Sequence, residues 1–401
     1  MRTAFSRRDF LKVSGLGAAS LMVPGWLTRA LAEPGAKTAT RSLVLVMLGG
    51  GNDGLNTVVP LADPLYAKAR PTLGIPKDQM LKLNDAVGLH PSMKKLRDLF
   101  DEGKVAVVNN VGYPNHDRSH FRSMEIWQTA QMSGVVRDGW LGRCLCDDNS
   151  TPHSVSFGSE TPLALWADGG GVLAMENPGG FEIGTDNRHQ GDRAHIQKAF
   201  RELYGIERKG SAEYVRKRGL EVMAQAERIR TIAQKPNRDI VYPNSGLAQG
   251  LRFIANAIED DFGARVYMIG LGGFDTHANQ RQQHANLLQT LSEAVTAFQK
   301  DLDARSISDR VTTATFSEFG RRVAENVSQG TDHGAAGPMF VVGKNVKGGI
   351  YGGAPDLEKL DSGDLAMTVD FRSVYAALLA KGIGVAAEKA LGGEFLPLEI
   401  L

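Results

Sequence analysis

Carboxylates and imidazoles recur in this sequence beside apolar runs, and these are the groups that hold divalent metal ions. Asp53 follows Gly49-Gly50-Gly51-Asn52, and Asp275 and His277 stand in Gly273-Phe274-Asp275-Thr276-His277. Glu318 follows Ser317, and Asp332-His333 precedes Gly334. All six are oxygen or nitrogen donors with no thiolate among them, a set suited to Zn²⁺, Mn²⁺, Mg²⁺ or Ca²⁺. Taken singly, each has an ordinary explanation. Asp53-Gly54 is a turn signal, Asp275 can cap a helix, and Glu318 with Arg321 can be a surface pair. Six such groups at successive strand ends point instead to one site, because open α/β sheets bind ligands outside the carboxyl ends of their strands.

Ser119 is the candidate nucleophile. It follows the apolar run Lys104 to Val111 and opens an expected helix, Phe121 to Thr129. There its hydroxyl meets unpaired backbone N–H groups and the positive end of the helix dipole. A nearby metal would lower its pKa in place of a histidine base. A plain N-cap role explains a serine at that position equally well, and the two roles are compatible. Arg118, His116 and His120 can receive an anionic substrate group, with Asn52 and Asn56 beside Asp53 as further substrate contacts.

These groups need a frame. Five apolar runs read as buried strands: Ser42 to Leu48, Lys104 to Val111, Ala264 to Leu271, Arg310 to Phe316 and Pro338 to Val342. Amphipathic helical stretches lie between them. His90 to Glu102 carries Met93, Leu96 and Leu99. Ser245 caps a stretch with Leu247, Leu251, Ile254 and Ile258, and Arg281 to Ala304 repeats apolar residues at helical spacing. Strands apolar on both faces, alternating with such helices, predict an α/β fold with a mostly parallel sheet sandwiched by helices. Residues 190–237 are charged and lack a strong apolar stripe, which predicts a helical insertion with a solvated face.

The first 32 residues are unlike the rest. Ser6-Arg7-Arg8-Asp9-Phe10-Leu11-Lys12 reads as a twin-arginine export signal, followed by an apolar stretch to Leu31 and a small-residue cleavage site, Ala30-Leu31-Ala32. The stretch is broken by Gly15, Gly17, Pro24 and Gly25, so it predicts no stable membrane span. The expected partner is the twin-arginine translocon, and the expected location is periplasmic or secreted. The overall net charge of +1 averages a segment of +4 with a body of −3. A near-neutral chain argues against a nucleic-acid partner, which needs a basic face. Cys144 and Cys146 are too close for an unstrained disulfide and have no further thiol to complete a metal site, so two buried, inert thiols are expected.

Gly49-Gly50-Gly51-Asn52-Asp53-Gly54 matches the letters of a dinucleotide fingerprint. A pyrophosphate site needs a helix straight after the glycines, and here Thr57-Val58-Val59-Pro60 intervenes. G-x-S-x-G is absent as well, against a carboxylic-ester hydrolase.

Several runs resemble the exported DUF1501 family: Gly49 to Pro60, Arg118-Ser119-His120-Phe121, Gly273 to Gln280, Ser317 to Arg321, Thr331 to Gly334 and Asp370 to Tyr375. The resemblance covers about residues 41–401, giving a signal at 1–32 and one α/β domain at 42–401. It implies a fold like that of the alkaline phosphatase and sulfatase superfamily, with metal-bound carboxylates and histidines. By that resemblance Asp53 is the first carboxylate ligand, Ser119 the nucleophile, and Asp275 with His277 an aspartate–histidine pair spaced D-x-H. Two assignments compete for the next carboxylate. Asp332-His333 has the expected letters and Glu318 the expected place. Glu318 is preferred, because no histidine follows His333 to serve as the later ligand. The implied function is metal-dependent hydrolysis of phosphate or sulfate esters, of a small molecule or a glycan. The alternative is a non-catalytic exported protein that keeps the fold and binds a glycan or partner.

Overall fold

The computed structural model describes residues 41–61, 63–134, 136–145, 154–168, 171–176, 193–236 and 238–401. The expected export signal and Cys146 lie outside the described residues. Cys144 is half-buried and not buried as expected, with its sulfur 3.2 Å from the Leu141 carbonyl oxygen.

Nine strands make the main sheet among the described residues. They are β1 (Ser42–Gly49), β2 (Val105–Gly112), β3 (Ser154–Phe157), β4 (Val172–Met175), β5 (Val266–Gly272), β6 (Val311–Phe316), β7 (Gly337–Val342), β8 (Gly349–Tyr351) and β9 (Val369–Asp370). Their order is β8-β2-β7-β6-β1-β5-β3-β4, with β9 also on β2. β1 is central and parallel to both neighbours, Leu45 lying opposite Met268 on β5 and Ala314 on β6. Only β7 runs antiparallel, to β2 on one side and β6 on the other. The other pairings in the sheet are parallel. The five expected strands are all present. Hydrophobicity carries no direction, and the reversal of β7 was not foreseen.

The helices used below are α1 (Lys94–Asp101), α2 (His120–Thr129), α3 (Arg193–Gly205), α4 (Ser211–Ala233), α5 (Gly246–Glu259), α6 (Gln280–Ala304) and α7 (Phe371–Ala377). Of these, the helices in the unit that holds the sheet cover both its faces. Leu43 and Leu45 of β1 enter one core with Ile126 and Trp127 of α2 and Phe371, Val374 and Tyr375 of α7. Val46, on the opposite face, is also buried and pairs with Ile269 of β5, against which Gly250 of α5 lies. The Ser245 hydroxyl accepts from the Ala248 N–H and caps α5 as expected. Helices α3 and α4 form a separate unit, in which Arg216 pairs with Glu213 and donates to the Tyr204 carbonyl.

His284 on α6 and His90 before α1 belong to this frame and not to the site. Both are buried, their rings 6.1 Å apart edge to face. His284 Nε2 lies 3.0 Å from the Asn52 side-chain oxygen. Burial pushes the His284 imidazole down to about 4 from an ordinary 6.5, and does the same to His90. Between those pH values the unfolded chain binds protons that the folded chain refuses. Stability is therefore complete above pH 6.5 and falls as the pH drops toward 4. For His284 the loss is on the order of 3 kcal/mol. Urea midpoints measured from pH 7.5 to 4.5 are expected to fall, and to fall less steeply in His284→Gln. Equal slopes in the two proteins would contradict the assignment.

Candidate metal centre

The site forms where β1, β5 and β6 end. After β5 the chain turns tightly about Asp275, the Thr276 N–H donating to the Phe274 carbonyl at 2.8 Å. Phe274 and Thr276 point inward and are buried, while Asp275 and His277 point out together. The D-x-H spacing thus places carboxylate and imidazole side by side. The glycines after β1 serve the same convergence. Gly50 and Gly51 have φ of 115° and 81°. A Cβ on Gly50 would stand 2.4 Å from the Asp275 nitrogen, and one on Gly51 would stand 2.3 Å from the Phe319 ring. They let the loop pass under Asp275, and no nucleotide is needed to explain them.

Three imidazoles face the Asp275 carboxylate. His277 Nε2 and His333 Nε2 lie 3.1 and 3.2 Å from its Oδ1, and His120 Nε2 lies 3.5 Å from its Oδ2. His120, Asp275 and His333 can each offer a donor atom within 4.8 Å of the others. The other ring nitrogen of each histidine is held by an oxygen. His120 Nδ1 lies 2.9 Å from Glu318 Oε1, His277 Nδ1 3.2 Å from Asp332 Oδ1, and His333 Nδ1 2.8 Å from the Arg118 carbonyl. A carboxylate or a carbonyl only accepts, so Nδ1 donates in all three rings and a neutral imidazole keeps its lone pair on Nε2. This is how proteins orient histidine ligands.

One contact bears directly on what that arrangement can hold. His277 Nε2 and His333 Nε2 stand 2.9 Å apart. Two lone pairs at that distance repel, so the contact calls for either a proton shared between the rings or a metal ion held by both. Tetrahedral zinc with bonds of 2.0–2.1 Å separates its ligand atoms by about 3.3 Å; the contacts of Asp275 with the three rings and of His277 with His333 lie near that value, while the donors that all stand within 4.8 Å of one another are His120, Asp275 and His333, without His277. Three carboxylates (Asp275, Glu318 and Asp332) against the one guanidinium of Arg321 leave two negative charges when the imidazoles are neutral. A divalent ion would balance them, as would protons on two of the rings. Three nitrogens and one oxygen suit zinc or a similar transition metal better than Mg²⁺ or Ca²⁺, which ask for oxygen.

Arg321, first considered for a surface pair, is instead buried at the centre of the loops. It donates to the carbonyls of Gly50, Gly51 (2.7 Å), Phe274 (3.0 Å) and Thr331 (2.6 Å), and to Asp275 Oδ1 at 2.6 Å. Burial alone would raise the Asp275 pKa. Hydrogen bonds from Arg321 and His333 outweigh it and hold the carboxyl at about 2. Asn326, which donates to Asp332, holds that carboxyl below its ordinary range, with His277 adding to the effect. Gly50 N donates to Glu318 Oε1 at 2.8 Å, so Glu318 ties the β1 loop to His120.

The structure redistributes the expected residues. His120, expected to touch substrate, joins the imidazole cluster. Glu318 and Asp332, which competed for one ligand position, each hold the Nδ1 of a different histidine. Asp53 does not enter the cluster. It is 0% exposed and is gripped by both terminal nitrogens of Arg70, at 2.6 and 3.0 Å, with Gln280 donating as well. Burial raises its pKa, but Arg70 prevails and brings it to about 2. Asn52 and Asn56 are 2% and 3% exposed, so neither faces a substrate. Asn56 donates to the Leu73 carbonyl and accepts from the Tyr66 hydroxyl. Ser119 is exposed at the start of α2, and its side chain makes no capping bond, so capping does not account for it. Arg118 and His116 both contact Asp364, a buried carboxylate that no motif marked.

The family model described as a protein of unknown function, DUF1501, matches residues 147–384. The chain belongs to the DUF1501 family. The matched span holds Asp275, His277, Glu318, Asp332 and His333, and the runs around Asp53 and Ser119 lie before it. A search of curated proteins finds no match. Among solved structures the DUF1501 chain is similar to Ps i-CgsB in complex with k-i-k-neocarrahexaose, at 12% identity and a TM-score of 0.42, covering 88% of this chain and 74% of that one. It is also similar to a protein in the alkaline phosphatase superfamily from Vibrio parahaemolyticus, at 10% identity and a TM-score of 0.38, covering 95% and 78%. A third likeness is to the C-terminal periplasmic domain of EcEptC from Escherichia coli in complex with Zn, at 12% identity and a TM-score of 0.33, covering 78% and 75%. At such distances these likenesses add no function to the α/β sheet already described. No helix among the described residues is long and apolar enough to cross a membrane.

Proposed function

We propose that this DUF1501 protein is an exported, metal-dependent hydrolase of phosphate or sulfate esters. The observation that carries the metal is the pair of Nε2 atoms 2.9 Å apart, each with its Nδ1 committed to an oxygen. His120, His277, His333 and Asp275 would hold the ion. When bound, it supplies a Lewis acid that withdraws charge from an ester oxygen. The chain's own groups do the rest. Ser119 presents an exposed hydroxyl at the N-terminus of α2, next to the ligand His120, where the helix dipole favours an anion. Its attack on the phosphorus or sulfur expels the alcohol, and water then releases the anion from the serine. Glu318 and Asp332 keep the imidazoles turned inward. Export rests on the twin-arginine motif at Arg7-Arg8.

The test is a panel of aryl phosphates, aryl sulfates and phosphodiesters, assayed with protein shown to carry metal. Activity against at least one class is expected, and Ser119→Ala is expected to lower kcat on the order of a thousandfold. No activity in fully loaded protein would contradict the hydrolase. Full activity in Ser119→Ala would contradict the nucleophile.

A further inference from the structure

We propose that Arg118 and Arg322 form a second anion-binding subsite beside the metal centre, fixed from beneath by Asp364, and that it takes a sulfate or phosphate group other than the one cleaved. The inference rests on the hydrolase proposal for the identity of its neighbour, and its substrate class is an ester carrying two anionic groups.

Asp364 arrives on a tight hairpin. Leu360–Asp361 pairs with Asp364–Leu365 across Ser362 and Gly363, whose φ of 55° and 85° are those of a two-residue primed turn. The Asp364 side chain is fully buried, which is costly for a carboxylate without partners. Arg118 Nε and Nη2 donate to its Oδ2 at 2.9 and 2.6 Å, and His116 Nε2 lies 3.1 Å from the same atom. Arg322 Nη1 lies 3.5 Å from Oδ1 and donates to the Ser362 carbonyl at 2.6 Å. One buried carboxylate therefore fixes two guanidiniums. Their side chains remain 36% and 34% exposed, and Arg118 Nη1 has no hydrogen bond among the described residues. Two cations over one buried anion leave a positive charge. The other nearby acid, Asp361, is 61% exposed and lies 3.8 Å from His116 Nδ1.

The backbones of both arginines reach the metal centre. The Arg118 carbonyl accepts from His333 Nδ1, and the Arg322 N–H donates to the Asp332 carbonyl. A cavity lined by Tyr113, Pro114, His116, Phe319, Asp361 and Met367 opens beside the hairpin. The Phe319 ring in its wall also packs against His120 and His333, with centroids 4.9 and 4.6 Å away. The two half-exposed guanidiniums stand beside this cavity without lining it, and there they would meet the second anionic group of a substrate held at the metal centre. Planar guanidiniums with paired N–H donors recognise such groups better than ammonium ions do.

Calorimetry with a monosulfated and a disulfated disaccharide reads this directly. The disulfated sugar is expected to bind about tenfold more tightly, and Arg322→Met to cut that preference to less than about threefold. Arg322→Lys, which keeps the charge without the fork, is expected to fall between. Asp364→Asn is expected to lose the preference through Arg118, with circular dichroism confirming its fold. Equal affinity for the two sugars, or a preference unchanged in Arg322→Met, would overturn the subsite. Failure of the protein to bind metal would remove the hydrolase proposal. A preference lost in Arg322→Met would still support the subsite in that case.

Discussion

Replacing Asp275 with asparagine is expected to lower metal affinity by more than about a hundredfold while the protein remains folded. Asp275 is the carboxylate that all three Nε2 atoms approach, at 3.1 to 3.5 Å. The amide removes the charge and offers an N–H where a lone pair is wanted. The fold survives because Arg321 keeps its bonds to the carbonyls of Gly50, Gly51, Phe274 and Thr331. Glu318→Gln is expected to cost less, roughly 10- to 100-fold, because it only orients His120 Nδ1. Competition with a chelating dye measures both. Affinity within about threefold of wild type in Asp275→Asn would reduce Asp275 to a partner of Arg321.

The second large effect lies away from the cluster. Arg70→Met is expected to destabilise the protein by about 3–5 kcal/mol, because it strands the buried Asp53 carboxylate without its counter-charge. Arg70 also donates to the Val323 and Arg322 carbonyls, so it ties the helix Pro64–Ala69 to the loop after β6. Asp53→Asn in the same background is expected to recover part of the loss, a coupling that urea denaturation of the single and double variants measures. Additive losses would contradict the pair. With Asp53→Asn alone, metal affinity is expected to stay within about tenfold of wild type, since Asp53 holds the loop and not the ion. Loss of metal in that variant would restore the role the motif first suggested.

Much of the fold was legible because five strands are buried on both faces and therefore appear as unbroken apolar runs, such as Ser42 to Leu48. Ser154–Phe157 and Val172–Met175 were not, since four residues are too few to show a period. The site was legible as a set of letters. The tight turn about Asp275 that gives the D-x-H pair its geometry was not legible. Nor was the division of labour. Whether a carboxylate binds metal or turns an imidazole depends on which ring nitrogen it meets. Glu318 meets His120 across 198 positions of sequence. Likewise, nothing near Asp53 announces Arg70 as its partner, and Arg321 reads as a surface cation until three loops close over it.

The most direct test is a crystal structure of the protein grown with zinc, with anomalous scattering collected at the zinc edge. One ion is predicted, bound by the Nε2 atoms of His120, His277 and His333 and by the Asp275 carboxylate, with Asp53 still paired to Arg70. An anomalous map with no peak among these four side chains, or a peak bound through Asp53, would contradict the account.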